Sequence, residues 1–177
     1  GSWMLAPRFF AVVSGYVALQ IVYSFLLKKV ALVDVFVIAC GFVLRATAGA
    51  VAARVTISPW LLLCTFLLAL FLALCKRRHE KVVLAALDKD RRASLDRYDT
   101  QLLNQLIAIV SSATIVSYAL YTLWPDTVDK FGTSMLGFTI PFVMFGIFRY
   151  LDLVYRHEKG DRPERILLTD IPLLVTI

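Results

Sequence analysis

The sequence predicts an all-α integral membrane protein, a polytopic helical bundle. Three observations predict it. Hydrophobic residues make up 59% of the 177-residue chain, and the mean hydropathy is +0.75, whereas a soluble domain is about half apolar. Charged residues make up only 18%, and they cluster between long apolar runs. Five of those runs are 19 to 23 residues long, enough for a helix to cross a hydrocarbon core of about 30 Å.

The runs are residues 9–27, 31–52, 57–75, 102–124 and 134–155, with a sixth at 166–177. The sixth holds only 12 residues, too few to span alone. It ends within "LLTDIPLLVTI", which reads as a helix cut short. We treat 1–177 as a single transmembrane domain fragment. No secretory signal peptide is read at the N-terminus, and Gly1-Ser2 reads equally as native or as a cloning remnant.

Loop charges set a consistent topology. Lys28 and Lys29 follow the first run, a Lys/Arg-rich stretch from Lys76 to Arg97 follows the third, and Arg156 to Arg165 follow the fifth. The alternate loops carry Arg54, and Lys130 beside Asp126 and Asp129. The positive-inside rule makes the first set cytoplasmic and the second external. The same bias accounts for the formal net charge of +6, so no nucleic-acid partner is expected. Residues 76–100 are too polar to span. They contain no Gly or Pro, and Leu84, Leu87, Leu95 and Tyr98 keep a loose helical spacing. We read a cytoplasmic extension of the third helix, then a second short helix after a break near "DKDRR". Cys40, Cys64 and Cys75 all lie in apolar runs without metal-ligand spacing and read as packing residues.

Charges within the apolar runs carry the functional signal. Asp34 and Arg45 lie inside the second run, where an ionised group costs about 2.5–3.5 kcal/mol at the bilayer centre on insertion scales. Eleven residues separate them, about 16 Å along a helix, so they share a face but do not pair. For Arg45 a buried polar cavity is the preferred reading. For Asp34, near a membrane surface, a cavity and snorkelling both stand. Small residues around Arg45, in "GFVLRATAGA", suit close helix packing and also leave room for a ligand. Tyr23 and Lys28 read, on residue type alone, as an interfacial anchor pair. Arg149 and Asp152 are spaced to pair at i,i+3.

The stretch "LCKRRHEKV" puts Lys76, Arg77 and Glu80 at the end of the third run. Lys76 and Glu80 are spaced i,i+4, and a surface pair of that kind is worth only a few tenths of a kcal/mol. Taken alone the cluster is a basic helix flank. It gains weight as an anion site because Lys28, Asp34, Arg45 and Arg149 fall on the same predicted side. Walker A, GxSxG, HExxH and paired CxxC motifs do not occur, so the sequence offers no support for nucleotide-driven transport or for serine or zinc hydrolysis.

Four stretches in order resemble the UbiA superfamily of membrane prenyltransferases, and within it the decaprenyl-phosphate phosphoribosyltransferase branch. They are "Y..LK.....D" at Tyr23, Lys28 and Asp34, "LRA.AG" at Leu44 to Gly49, "KR..E" at Lys76, Arg77 and Glu80, and "FRYL" at Phe148 to Leu151. The "GDRPERILLTD" stretch fits the same branch. The resemblance implies a nine-helix bundle around a cavity open to the cytoplasm, of which this chain matches helices four to nine. It implies transfer of 5-phosphoribose from phosphoribosyl pyrophosphate to a polyprenyl phosphate, with Mg²⁺ and release of pyrophosphate, in a cell membrane, feeding cell-wall arabinan synthesis. Asp34 and Glu80 are then candidate catalytic residues, and Tyr23, Lys28, Arg45, Lys76, Arg77 and Arg149 candidate substrate contacts. The family's first acidic motif, NDxxDxxxD, is absent from this chain. Its main Mg²⁺ ligands are therefore expected upstream, and the chain alone is expected to be inactive. Where prenyltransferase members carry a second acidic motif, this chain has "KRRHE", which favours a phosphosugar over a second metal. An aromatic or quinone prenyltransferase, and a non-catalytic membrane subunit, are the alternatives. The residues do not set chain length or oligomeric state.

Overall fold

The structure, a computed structural model, describes residues 14–16, 32–55, 58–87, 99–156 and 170–174. The first predicted run lies almost wholly outside them, as do Tyr23, Lys28 and the predicted break near "DKDRR". The described residues contain helices and turns and no strand. The helices are α1 (Val33–Ala53), α2 (Pro59–Leu87), α3 (Thr100–Leu123), α4 (Pro125–Phe131), α5 (Ile140–Arg156) and α6 (Ile171–Leu174), with a 3-10 turn at Met135–Thr139 before α5. Among the described residues, four stretches are long and apolar enough to cross a membrane: Val33–Ala53, Pro59–Val82, Thr100–Leu123 and Met135–Arg156. The molecule is thus an all-α integral membrane bundle.

Local chemistry sets the helix ends. Asp99 caps α3, its carboxylate accepting from the Gln101 amide at 3.2 Å. At the other end Trp124 is extended, the conformation a residue before a proline favours. Pro125 then opens α4, where its missing N–H costs nothing. Gly132, at φ +64, closes α4 in the left-handed region that glycine enters without penalty. Arg54 closes α1 in the same region, its amide bonded back to Ala50 and Val51.

The chain divides into two compact units, Gly1–Leu70 and Phe71–Ile177, with the boundary inside α2. In the first, Val35, Ala39, Ala69 and Leu70 are buried, and the rings of Phe36 and Phe66 meet at 6.0 Å. In the second, Phe71, Leu74, Cys75, Leu103, Ile107, Leu153 and Val154 form the core. Phe71 packs on Tyr150 at 5.5 Å. Outside this core, Ile109, Val116, Phe142, Phe145 and Phe148 are exposed. A water-soluble protein would hide such a surface, whereas acyl chains cover it at no cost. Polar side chains inside α3 follow the same logic. Ser111, Thr114 and Thr122 are buried and turn their hydroxyls onto carbonyls of their own helix at 3.0, 2.7 and 2.9 Å, so none faces hydrocarbon unpaired.

Candidate functional site

The apolar part of α2 ends at Cys75, which is fully buried. The helix itself continues through the charged stretch to Leu87, as the sequence reading expected of a helical extension. Lys76 is exposed, and Arg77 and Glu80 are half-buried. The cation–acid pair of this turn differs from the i,i+4 spacing singled out in the sequence. Glu80 pairs with Arg77 at i,i+3, at 2.5 Å, and Lys76 makes no ion pair among the described residues. Both spacings bring side chains together on a helix, and the longer, forked guanidinium takes the carboxylate. The result is an Arg77–Glu80 pair with the exposed Lys76 beside it.

Arg78, the next residue along α2, has a specific environment. Its Nε donates to Asn104 Oδ1 at 2.8 Å. Its Nη1 reaches the Val154 carbonyl at 3.4 Å. Its guanidinium lies over the Tyr155 ring, 3.8 Å from the centroid. The Tyr155 hydroxyl donates to the same Asn104 oxygen at 3.1 Å. One arginine of α2 therefore joins α3 and α5 at a single point. The residue types were visible in the sequence, but no spacing rule links positions 78, 104 and 155.

Arg149 meets the predicted partner and a second one. Its Nη1 reaches Asp152 at 3.2 Å. Nε and Nη2 grip Asp170 at 3.2 and 2.9 Å, a two-point contact of the kind guanidinium favours. Asp152 also pairs with Arg156 at 2.8 Å, and Asp170 accepts from the Leu173 amide at 3.1 Å, starting α6. The guanidinium fork is thus engaged by two carboxylates, and the pairing fastens the start of α6 to α5.

In the first unit, Asp34 is buried at the start of α1 and accepts from the Val35 amide at 2.8 Å. A carboxylate there faces the positive end of the helix dipole. Arg45, three turns on, is exposed, where the sequence reading preferred a buried cavity. Tyr16 reaches it from the preceding segment. The phenol oxygen accepts from Nε at 3.1 Å and from Nη2 at 2.5 Å, and the guanidinium also lies near the rings of Tyr16 and Phe42. A hydroxyl and two aromatic faces satisfy the charge in place of a carboxylate.

Lys76, Arg77 and Glu80 are therefore brought onto one helix end, while Asp34 and Arg45 share α1. Around Lys76 and Arg77 the charge balance is positive, which suits an anionic ligand. No group of three or more His, Cys, Asp or Glu side chains able to hold a metal occurs among the described residues. Glu80, Asp152 and Asp170 each face an arginine instead.

No protein-family model matches the chain. Curated relatives of this chain carry the name decaprenyl-phosphate phosphoribosyltransferase. Those of Mycobacterium tuberculosis and Mycolicibacterium smegmatis are each 33% identical over 96% of this chain. That of Corynebacterium glutamicum is 33% identical over 93%. This chain is similar, along almost its whole length, to these decaprenyl-phosphate phosphoribosyltransferases. That is the branch to which the four motif stretches pointed. The chain spans about half the length of these phosphoribosyltransferases, 55% for the two mycobacterial proteins and 49% for the corynebacterial one.

Proposed function

We propose that the protein to which this chain belongs transfers 5-phosphoribose from phosphoribosyl pyrophosphate to a polyprenyl phosphate such as decaprenyl phosphate. The similarity to phosphoribosyltransferases along almost the whole chain carries this reading, and the cationic end of α2 supports it. The donor bears a pyrophosphate and a 5-phosphate. In this reading the exposed Lys76 and the half-buried Arg77 guanidinium neutralise such a ligand. Glu80 holds Arg77 in orientation and has a carboxylate oxygen to offer a ribose hydroxyl. Asp34, Arg45, Tyr23 and Lys28 join the proposal on their motif positions. Arg149, with its fork engaged by Asp152 and Asp170, is given the fastening of α6 in preference to phosphate binding.

In the proposed reaction an oxygen of the acceptor phosphate attacks the anomeric carbon, a new C–O bond forms, and the bond to pyrophosphate breaks. The acceptor is already anionic at neutral pH and needs no base. We include Mg²⁺ dependence in the proposal, but the described carboxylates do not form a site for it, and no step is derived through it. Loop charges support a site that faces the cytoplasm from the cell membrane. A cell-wall arabinan precursor is the product use that the resemblance implies.

Radiolabelled phosphoribosyl pyrophosphate with the full-length protein tests the reading. Movement of label into organic solvent only when polyprenyl phosphate is present is the expected result. Transfer of a prenyl group to an aromatic acceptor instead would overturn it, as would no transfer of either kind.

A further inference from the structure

Arg78 lies between the residues of the proposed site and yet points elsewhere. At 100° per residue, positions 76 and 80 each stand about 160° around the helix from position 78. Whatever pins Arg78 therefore turns Lys76 and Glu80 to the opposite side of α2. Arg78 is pinned three times, by Asn104 of α3 at 2.8 Å, by the Val154 carbonyl of α5 at 3.4 Å, and by the Tyr155 ring at 3.8 Å. The Tyr155–Asn104 hydrogen bond, 3.1 Å long, closes the ring of contacts. Lys76, on the far side, is exposed, which is the arrangement this pinning dictates.

We propose that Arg78 is the positioning residue of the phosphosugar site, a rotational anchor that aims Lys76 and Glu80 by locking the opposite side of α2 onto Asn104, Tyr155 and the Val154 carbonyl. The inference rests on the phosphoribosyl-transfer reading for its activity readout. It makes a demand that plain topology does not. A charge that only marks the cytoplasmic side is served equally by lysine, whereas a two-point donor stacked on a ring is served only by arginine.

The test uses the full-length protein in lipid nanodiscs. Arg78→Lys and Tyr155→Leu are expected to lower kcat/KM for phosphoribosyl pyrophosphate by about 10- to 100-fold, the scale of a misplacement of about 1 Å. KM for the polyprenyl phosphate should not move. Tyr155→Phe, which keeps the ring, should stay close to wild type. A second arm is independent of the reaction. Nitroxides on a Lys76→Cys/Leu102→Cys pair, in a background cleared of other reactive cysteines, report the rotation of α2 against α3. Adding Arg78→Ala should shift or broaden their distance distribution, and if that variant does not fold, Arg78→Lys replaces it. Wild-type kinetics in Arg78→Lys, or an unchanged distance distribution, overturns the anchor. If the wild-type protein transfers no phosphoribose, the functional reading fails while the distance arm still decides the anchor.

Discussion

At the scale of single residues, the charges of the α2 end separate by what they touch. Lys76 is exposed, Arg77 and Glu80 hold each other, and Arg78 is bound into the bundle. We expect Lys76→Ala and Glu80→Ala in the full-length protein to lower phosphoribose transfer by about 100-fold or more, on the scale of losing a charge-stabilising group at a reacting centre. Their detergent elution profiles should match wild type. Wild-type turnover in both would remove these residues from the site. The Arg149–Asp170 contact makes a different demand. Arg149→Ala and Asp170→Ala should each lower the melting temperature, and the double variant should be little worse than either alone, because the two act as one unit. Additive losses would show that the pair is not coupled. The residue types behind both predictions were readable in the sequence. The pairs Arg77–Glu80 and Arg149–Asp152 keep helical spacing, whereas Asp170 lies 21 positions from Arg149 and Asn104 lies 26 from Arg78, outside any helical spacing rule.

At the scale of elements, the ends of α3 and α4 are set by a few side chains. Removing the cap in Asp99→Ala should cost about 1 kcal/mol. Gly132→Ala should cost about the same, since φ +64 forces its Cβ into an unfavourable contact. Denaturant titration of the purified protein, followed by helical circular dichroism, measures both, and a change below about 0.3 kcal/mol would contradict the assigned role. Long apolar helices were the most legible part of the sequence. The helices α1, α2, α3 and the 3-10 turn with α5 fall largely on the second to fifth apolar runs, 31–52, 57–75, 102–124 and 134–155. The extra length of α2 was also readable, because nothing between Cys75 and Leu87 breaks a helix. The short helix α4 was not, since seven residues of mixed polarity between two apolar runs give no period to read.

At the scale of the whole molecule, the membrane arranges the parts. With the topology read from loop charge, a Lys81→Cys variant of the full-length protein in intact cells should resist a membrane-impermeant maleimide until the cells are opened, and Asp129→Cys should react from outside. The reverse pattern would invert the bundle and put the α2 end on the wrong side for a cytoplasmic donor. The sequence by itself determined the class, an all-α membrane bundle, because burying about 20 apolar residues in hydrocarbon leaves a helix as the only way to satisfy the backbone within one segment. It also determined which helix end is cationic. Only the tertiary structure decided how those charges divide. That Arg78 is stacked on the Tyr155 ring and that Arg149 also grips Asp170 depends on contacts between segments distant in sequence, and those are set by packing that no local periodicity encodes.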